Sequence, residues 1–191
     1  MKKSRVVFFI LVCVAFIVGC FYYVAHKKPS DSADNYELSE VEKVITKDFA
    51  NSYPATPREV VKNYNRILEC FYNEKFDEDE LYALGDQARL LMDEELLAEN
   101  TRDEYFAALS LDIASYRERE RTISSTSICS SNEVEKKTID GMEYAYVDAS
   151  YFIKEGSSFE RTYQEYVLRK DEDGNWKILA FHQTEGESSN D

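Results

Sequence analysis

An α+β fold class is predicted by three features of this 191-residue chain. A charge-free apolar run from Val6 to Ala25 comes first, helical periodicity with capping signals fills the middle, and alternation of period two between turn signals fills the last third. Together they predict an N-terminal transmembrane helix followed by three to four helices packed on a curved antiparallel sheet of about four strands. The chain then divides into a basic cytoplasmic flank at 1–5, the membrane segment at 6–25, a linker at 26–37, an extracytoplasmic α+β domain at 38–185 and a disordered tail at 186–191.

Twenty helical residues rise about 30 Å, the thickness of a bilayer's hydrocarbon core, which suits Val6 to Ala25 to a single span. A cleaved signal peptide needs a shorter apolar stretch of roughly 7 to 15 residues. Ile17-Val18-Gly19-Cys20 has the form of a lipobox, so lipidation of Cys20 competes with the uncleaved span. Bulky Phe21-Tyr22-Tyr23 after Cys20 favours the span. Lys2, Lys3 and Arg5 before the run place its start in the cytoplasm and the rest outside, as a single-pass protein of the cell membrane.

All 37 acidic residues and 18 of the 23 basic ones follow position 28, leaving that segment with 19 excess negative charges. Such a surface repels phosphate backbones, so nucleic acid is excluded as a partner. His26 and His182 are the only histidines, and Cys70 and Cys129 are isolated thiols without a CxxC spacing. No metal site, cofactor site or Cys-His pair is expected, and the two outer cysteines read as buried hydrophobes rather than a bridge.

Pro29 to Tyr36 is small and polar, as a linker should be. Leu38, Val41, Val44, Ile45 and Phe49 give a modest helical face before the break at Tyr53-Pro54-Ala55-Thr56-Pro57. Thr56 caps, Pro57 suits the first helical position, and Glu59 completes a capping box, so a helix begins at Pro57. Its stripe is Val60, Val61, Tyr64, Ile67, Leu68, Phe71 and Tyr72. A second helix follows Asp77-Glu78-Asp79-Glu80, with Leu81, Leu84, Ala88, Leu91 and Met92 inward and Gly85 as a weak point. A third starts with the capping box Thr101 to Glu104 and carries Tyr105, Phe106, Leu109, Ile113 and Tyr116 until Arg117–Arg121.

Strands are expected at Thr122–Ile128, Met142–Lys154, Phe159–Lys170 and Trp176–His182. Asp140-Gly141, Glu155 to Ser158 and Asp171 to Asn175 turn the chain into an antiparallel meander. On the strand from Met142, Ala145, Val147, Ala149, Tyr151 and Ile153 share one face, while Met142, Tyr144, Tyr146 and Phe152 share the other. Both are apolar. Asp171-Glu172-Asp173-Gly174-Asn175 does not have calcium-loop spacing and reads as a tight turn. The acids from Asp77 to Glu80 suit a helix dipole. Tyr144, Tyr146 and Tyr163 are candidate pocket-mouth residues, and His182 reads as an edge residue.

Tyr166-Val167-Leu168-Arg169-Lys170, an acidic glycine turn and Trp176-Lys177-Ile178, coming after a helical half, resemble the nuclear-transport-factor-2-like superfamily. There, helices pack into the concave face of a bent sheet, forming a cone. More closely, Tyr53 to Val60, Tyr72-Asn73-Glu74, Asp93-Glu94-Glu95-Leu96-Leu97 and Leu168 through Ile178 resemble an uncharacterised family of small, membrane-anchored bacterial extracytoplasmic proteins. The resemblance implies a fold but no activity. No residue matches a catalytic motif. The expected function is a membrane-tethered extracytoplasmic module, not an enzyme, that binds a protein or a cell-envelope component. Two alternatives compete with it: a small-molecule-binding or isomerase-like enzyme using the cone, and a solute-binding lipoprotein.

Overall fold

The computed structural model describes residues 37–185, and a compact unit begins at Leu38. Five helices and five strands are found among the described residues: α1 (Glu40–Ile45), α2 (Pro57–Asn73), α3 (Glu78–Leu90), α4 (Glu94–Glu99), α5 (Arg102–Glu118), then β1 (Arg121–Ile128), β2 (Glu135–Ile139), β3 (Met142–Glu155), β4 (Ser158–Lys170) and β5 (Trp176–Thr184). The α+β order is as expected, with helices first and sheet last.

Reciprocal caps start four of the helices. Ser39, Thr56, Asp77 and Thr101 each accept from the backbone N–H three residues on, while Glu42, Glu59, Glu80 and Glu104 reach back to the cap's own N–H. Each such cap contributes about 1 kcal/mol and sets where its helix begins. The Asp77 run is therefore a helix start, with Glu78, Asp79 and Glu80 in the first turn. Gly85 of α3 faces α5 so closely that a Cβ there would lie 2.3 Å from Phe106 Cε1. The weak point of the helix is thus a close crossing.

The sheet is antiparallel, in the order β1-β3-β4-β5. Fourteen-residue β3 carries two partners along one edge: β1 pairs with its C-terminal half, Ile128 opposite Ala149, and β2 with its N-terminal half, Glu135 opposite Tyr146. Asp140 and Gly141 both take positive φ (51° and 83°), the requirement of a two-residue hairpin between Ile139 and Met142. The turn at Asp171 closes with Gly174 N–H to Asp171 O at 3.0 Å and Asn175 N–H to Asp171 Oδ1 at 2.7 Å. Register shifts at Ile123/Ser125 and Val167/Leu168 bend the strands that carry them.

Ala145, Val147, Ala149, Tyr151 and Ile153 of β3 are buried beneath the helices, with Tyr166, Leu168 and Ile178 beside them. Val60, Val61, Ile67 and Phe71 of α2 and Leu84, Ala88 and Leu91 complete this core.

The expected fold class requires correction. Among the described residues there are five helices rather than three to four, because Glu94–Glu99 forms a separate turn-and-a-half behind its Asp93 cap. The described residues form five strands rather than about four, because the exposed, charge-rich segment Glu135–Ile139 pairs with β3. No described helix is long and apolar enough to cross a membrane. The expected spanning helix at 6–25, Cys20 and the tail 186–191 lie outside the described residues.

Candidate functional site

Three elements leave space between them. α2 presents Tyr64, Leu68 and Tyr72 at intervals of four, α5 presents Asp112 and Tyr116 at the same interval, and the sheet supplies Ile123, Tyr151, Ile153, Thr162, Gln164, Tyr166 and Phe181. They enclose a cavity of about 310 Å³. Asp112 and Phe181 are exposed and mark its rim, whereas Tyr64, Tyr151 and Tyr166 are buried.

The cavity's walls are aromatic. Tyr72 stacks on Tyr116 with ring centroids 4.1 Å apart, and Tyr166 lies 5.6 Å from Phe181 and 5.9 Å from Tyr64. Polar groups occur at two places. At the rim the Tyr72 hydroxyl donates to Asp112 Oδ2. Deeper, Tyr151 Oη donates to Asn65 Oδ1 at 2.7 Å, contacts Tyr166 Oη at 2.5 Å, and Tyr166 donates to Gln164 Oε1 at 3.0 Å.

Three hydrogen bonds therefore link four side chains, yet the two tyrosines own only two hydroxyl protons. The third must come from an amide at one end of the chain. Turning the Asn65 amide over supplies it, and brings into use Nδ2, which is otherwise a buried donor without a partner. The chain then runs from Asn65 through both tyrosines to Gln164, which lines the cavity.

Burial keeps these phenols neutral. It pushes Tyr64 up to about 12, raises Tyr151 and takes Tyr166 well above the ordinary value. Tyr72 is raised by burial and then by its bond to the Asp112 carboxylate. They act as donors and ring faces, not as bases.

The pocket-mouth residues expected from sequence do not line this cavity. Tyr151 and Ile153 line it, so Tyr144 and Tyr146, of the other parity on β3, face away. Tyr163 is likewise of opposite parity to the lining Thr162, Gln164 and Tyr166. His182 follows lining Phe181, is exposed, and lies 3.6 Å from Glu165. Cys70 is buried and Cys129 half-buried, and both are free thiols. Burial raises Cys70 to about 11. Among the described residues no group of three His, Cys, Asp or Glu side chains is placed to hold a metal.

A second, larger cleft of about 840 Å³ lies at the other end of the sheet, lined in part by Asp93, Met142, Arg169 and Lys177. Its Arg169 is engaged by two carboxylates. Arg169 Nε is 3.1 Å from Asp93 Oδ2, and Nη1 is 3.1 Å from Glu95 Oε2.

The family model described as a domain of unknown function, DUF6715, matches residues 1–181. No curated protein matches the chain.

Proposed function

We propose that the chain, which belongs to the DUF6715 family, is a non-enzymatic binding module that takes a small organic ligand from the bacterial envelope into the cavity between α2, α5 and the sheet. The cavity itself carries this reading: about 310 Å³ with aromatic walls and a few converging polar groups. The resemblance to the nuclear-transport-factor-2-like superfamily supports the same choice of site. Acid–base catalysis asks for two titratable groups poised apart within reach of one substrate. Here the phenols stay protonated, and the lining's one carboxylate already accepts from Tyr72.

Two features support a working place outside the cytoplasmic membrane, attached through residues 6–25. One is the charge-free run after Lys2, Lys3 and Arg5, and the other is the acid excess of everything beyond position 28. Labelling of exposed lysines by a membrane-impermeant reagent in intact cells tests this, and protection of all of them overturns it.

The binding role is tested by NMR on the full-length chain with labelled Tyr and Phe, screened against small organic fragments. Shifts are expected at Tyr72, Tyr116, Tyr151, Tyr166 and Phe181. They should vanish in Thr162→Phe, which fills the cavity. Hits that shift only residues elsewhere overturn the site, and saturable turnover of a hit overturns the non-enzymatic reading.

A further inference from the structure

Six of the twelve lining residues carry aromatic rings, and one, Asp112, is a carboxylate. None is Lys, Arg or His. Resting on the cavity reading above, we infer that the ligand bears a compact positive charge: an alkylammonium group, primary or quaternary.

Ring faces are the negative pole of the aromatic quadrupole and attract a desolvated ammonium within about 6 Å of a centroid. Tyr64, Tyr72, Tyr116, Tyr151, Tyr166 and Phe181 surround the space from two helices and three strands. Asp112 at the rim gives one oxygen to Tyr72, which orients the carboxylate and leaves the other oxygen for a cation. An anion entering the same space meets this carboxylate and the ring faces with no basic group in the lining to receive it.

One guanidinium lies close outside the lining. Arg121 lies 5.6 Å from the Tyr116 centroid but is not part of the lining, and its charge is matched by Glu155 at 2.7 Å and Glu160 at 3.3 Å. The chain thus already places a cation against one ring of the cage and neutralises it locally. The inside of the cage is left without one. Nineteen excess negative charges beyond position 28 would also concentrate small cations around the domain. At the far wall Gln164 and Thr162 can hold a hydroxyl or carbonyl on the ligand's other end.

Isothermal titration of the full-length chain tests this with two matched pairs: choline against its neutral isostere 3,3-dimethylbutan-1-ol, and 2-phenylethylammonium against 2-phenylethanol. At least one cation is expected to bind about tenfold or more tightly than its neutral partner. Asp112→Asn, whose amide oxygen can still accept from Tyr72, should shrink that preference below about threefold. Equal binding within both pairs overturns the inference and leaves the cavity as a ligand site. So does failure of both cations in a chain whose cavity tyrosines still shift with other fragments. Failure of every compound to shift the cavity tyrosines overturns the inference and the binding module together.

Discussion

The same helix-covered face of the sheet ends in two different ways. At one end, beside the larger cleft that Asp93 and Arg169 line, the backbone itself seals helices to sheet: Asp93 N–H donates to Ile178 O and Ile178 N–H to Leu91 O, both at 2.8 Å, so the segment between α3 and α4 lies as a short parallel rung along β5. Leu84, Ala88, Leu91, Leu168 and Ile178 fill the space beneath it. At the other end α2 and α5 reach the sheet through tyrosine side chains, and about 310 Å³ stays open. Backbone hydrogen bonds bring layers close enough for aliphatic packing. At the other end phenols line the space left between the layers. The first end also shields an edge strand, and the second provides a site.

The ends should break differently. The largest loss is expected for Arg169→Ala. Asp93 is 2% exposed, caps α4 through Glu95 N–H, and has Arg169 as its charge partner. Stranding a buried carboxylate costs about 3–5 kcal/mol. Urea denaturation should show that loss, while ligand-induced shifts at the cavity tyrosines persist in the folded fraction. A loss below about 1 kcal/mol would mean that the sealed end is held by its rung and packing alone.

Much of this architecture was legible in the sequence, and what was not has physical causes. Thr56 to Glu59 and Thr101 to Glu104 are local signals whose partners lie within one turn, and they start helices where expected. Asp140-Gly141 likewise fixes a hairpin within four residues. Six-residue α4 is too short to show a stripe, and β2 is exposed throughout, so neither has a hydrophobic period to read. Parity on β3 was visible, but both faces are apolar and period two does not say which one the helices cover. Ala145 and Ala149 were the available signal, since small side chains let helices approach. Asp112, one helical turn before Tyr116, is an ordinary surface acid until α2 brings Tyr72 to it.

The cavity end should be the more sensitive to alkali. Its phenols are raised by burial, so the folded state holds protons that the unfolded chain releases near pH 10. Their contribution is complete below that pH and is lost as pH rises through the folded values. Tyr64, pushed up to about 12, accounts for about 2–3 kcal/mol of loss by pH 12. Arg169 is raised by its bonds to Asp93, so that ion pair keeps its charge through the same range. Denaturation midpoints between pH 9 and 12 should fall together with the appearance of tyrosinate absorbance. Constant midpoints would refute the buried-phenol account.

A smaller effect is expected within the hydroxyl chain. Tyr151→Phe removes the contacts to both Asn65 and Tyr166 while keeping the ring that walls the cavity. The loss should be about 1–2 kcal/mol, since partners are left buried and unpaired. Asn65→Leu combined with Tyr151→Phe should recover part of it, because the orphaned amide goes too. No recovery would mean that Asn65 has another partner to satisfy.

Glu40 separates burial from ion pairing, and its effect should be the smallest. Like Asp93 it is a clamped carboxylate: Lys43 Nζ is 2.8 Å away and Arg66 Nη2 2.7 Å, and these two bonds hold its carboxyl down at about 2. Unlike Asp93 it is exposed, with side-chain accessibility of 47% against 3%. Water competes for all three groups, and neither cation is stranded when the carboxylate is removed. Glu40→Gln should therefore cost no more than about 0.5 kcal/mol at pH 7. The sign of its linkage is that of a depressed acid: its small contribution is present above the unfolded value near 4.5 and fades as pH falls towards 2. The wild type and Glu40→Gln midpoints should thus converge on acidification. If Glu40→Gln matched Arg169→Ala in cost, ion pairing and not burial would explain the sealed end, and the contrast between the two ends would lose its physical basis.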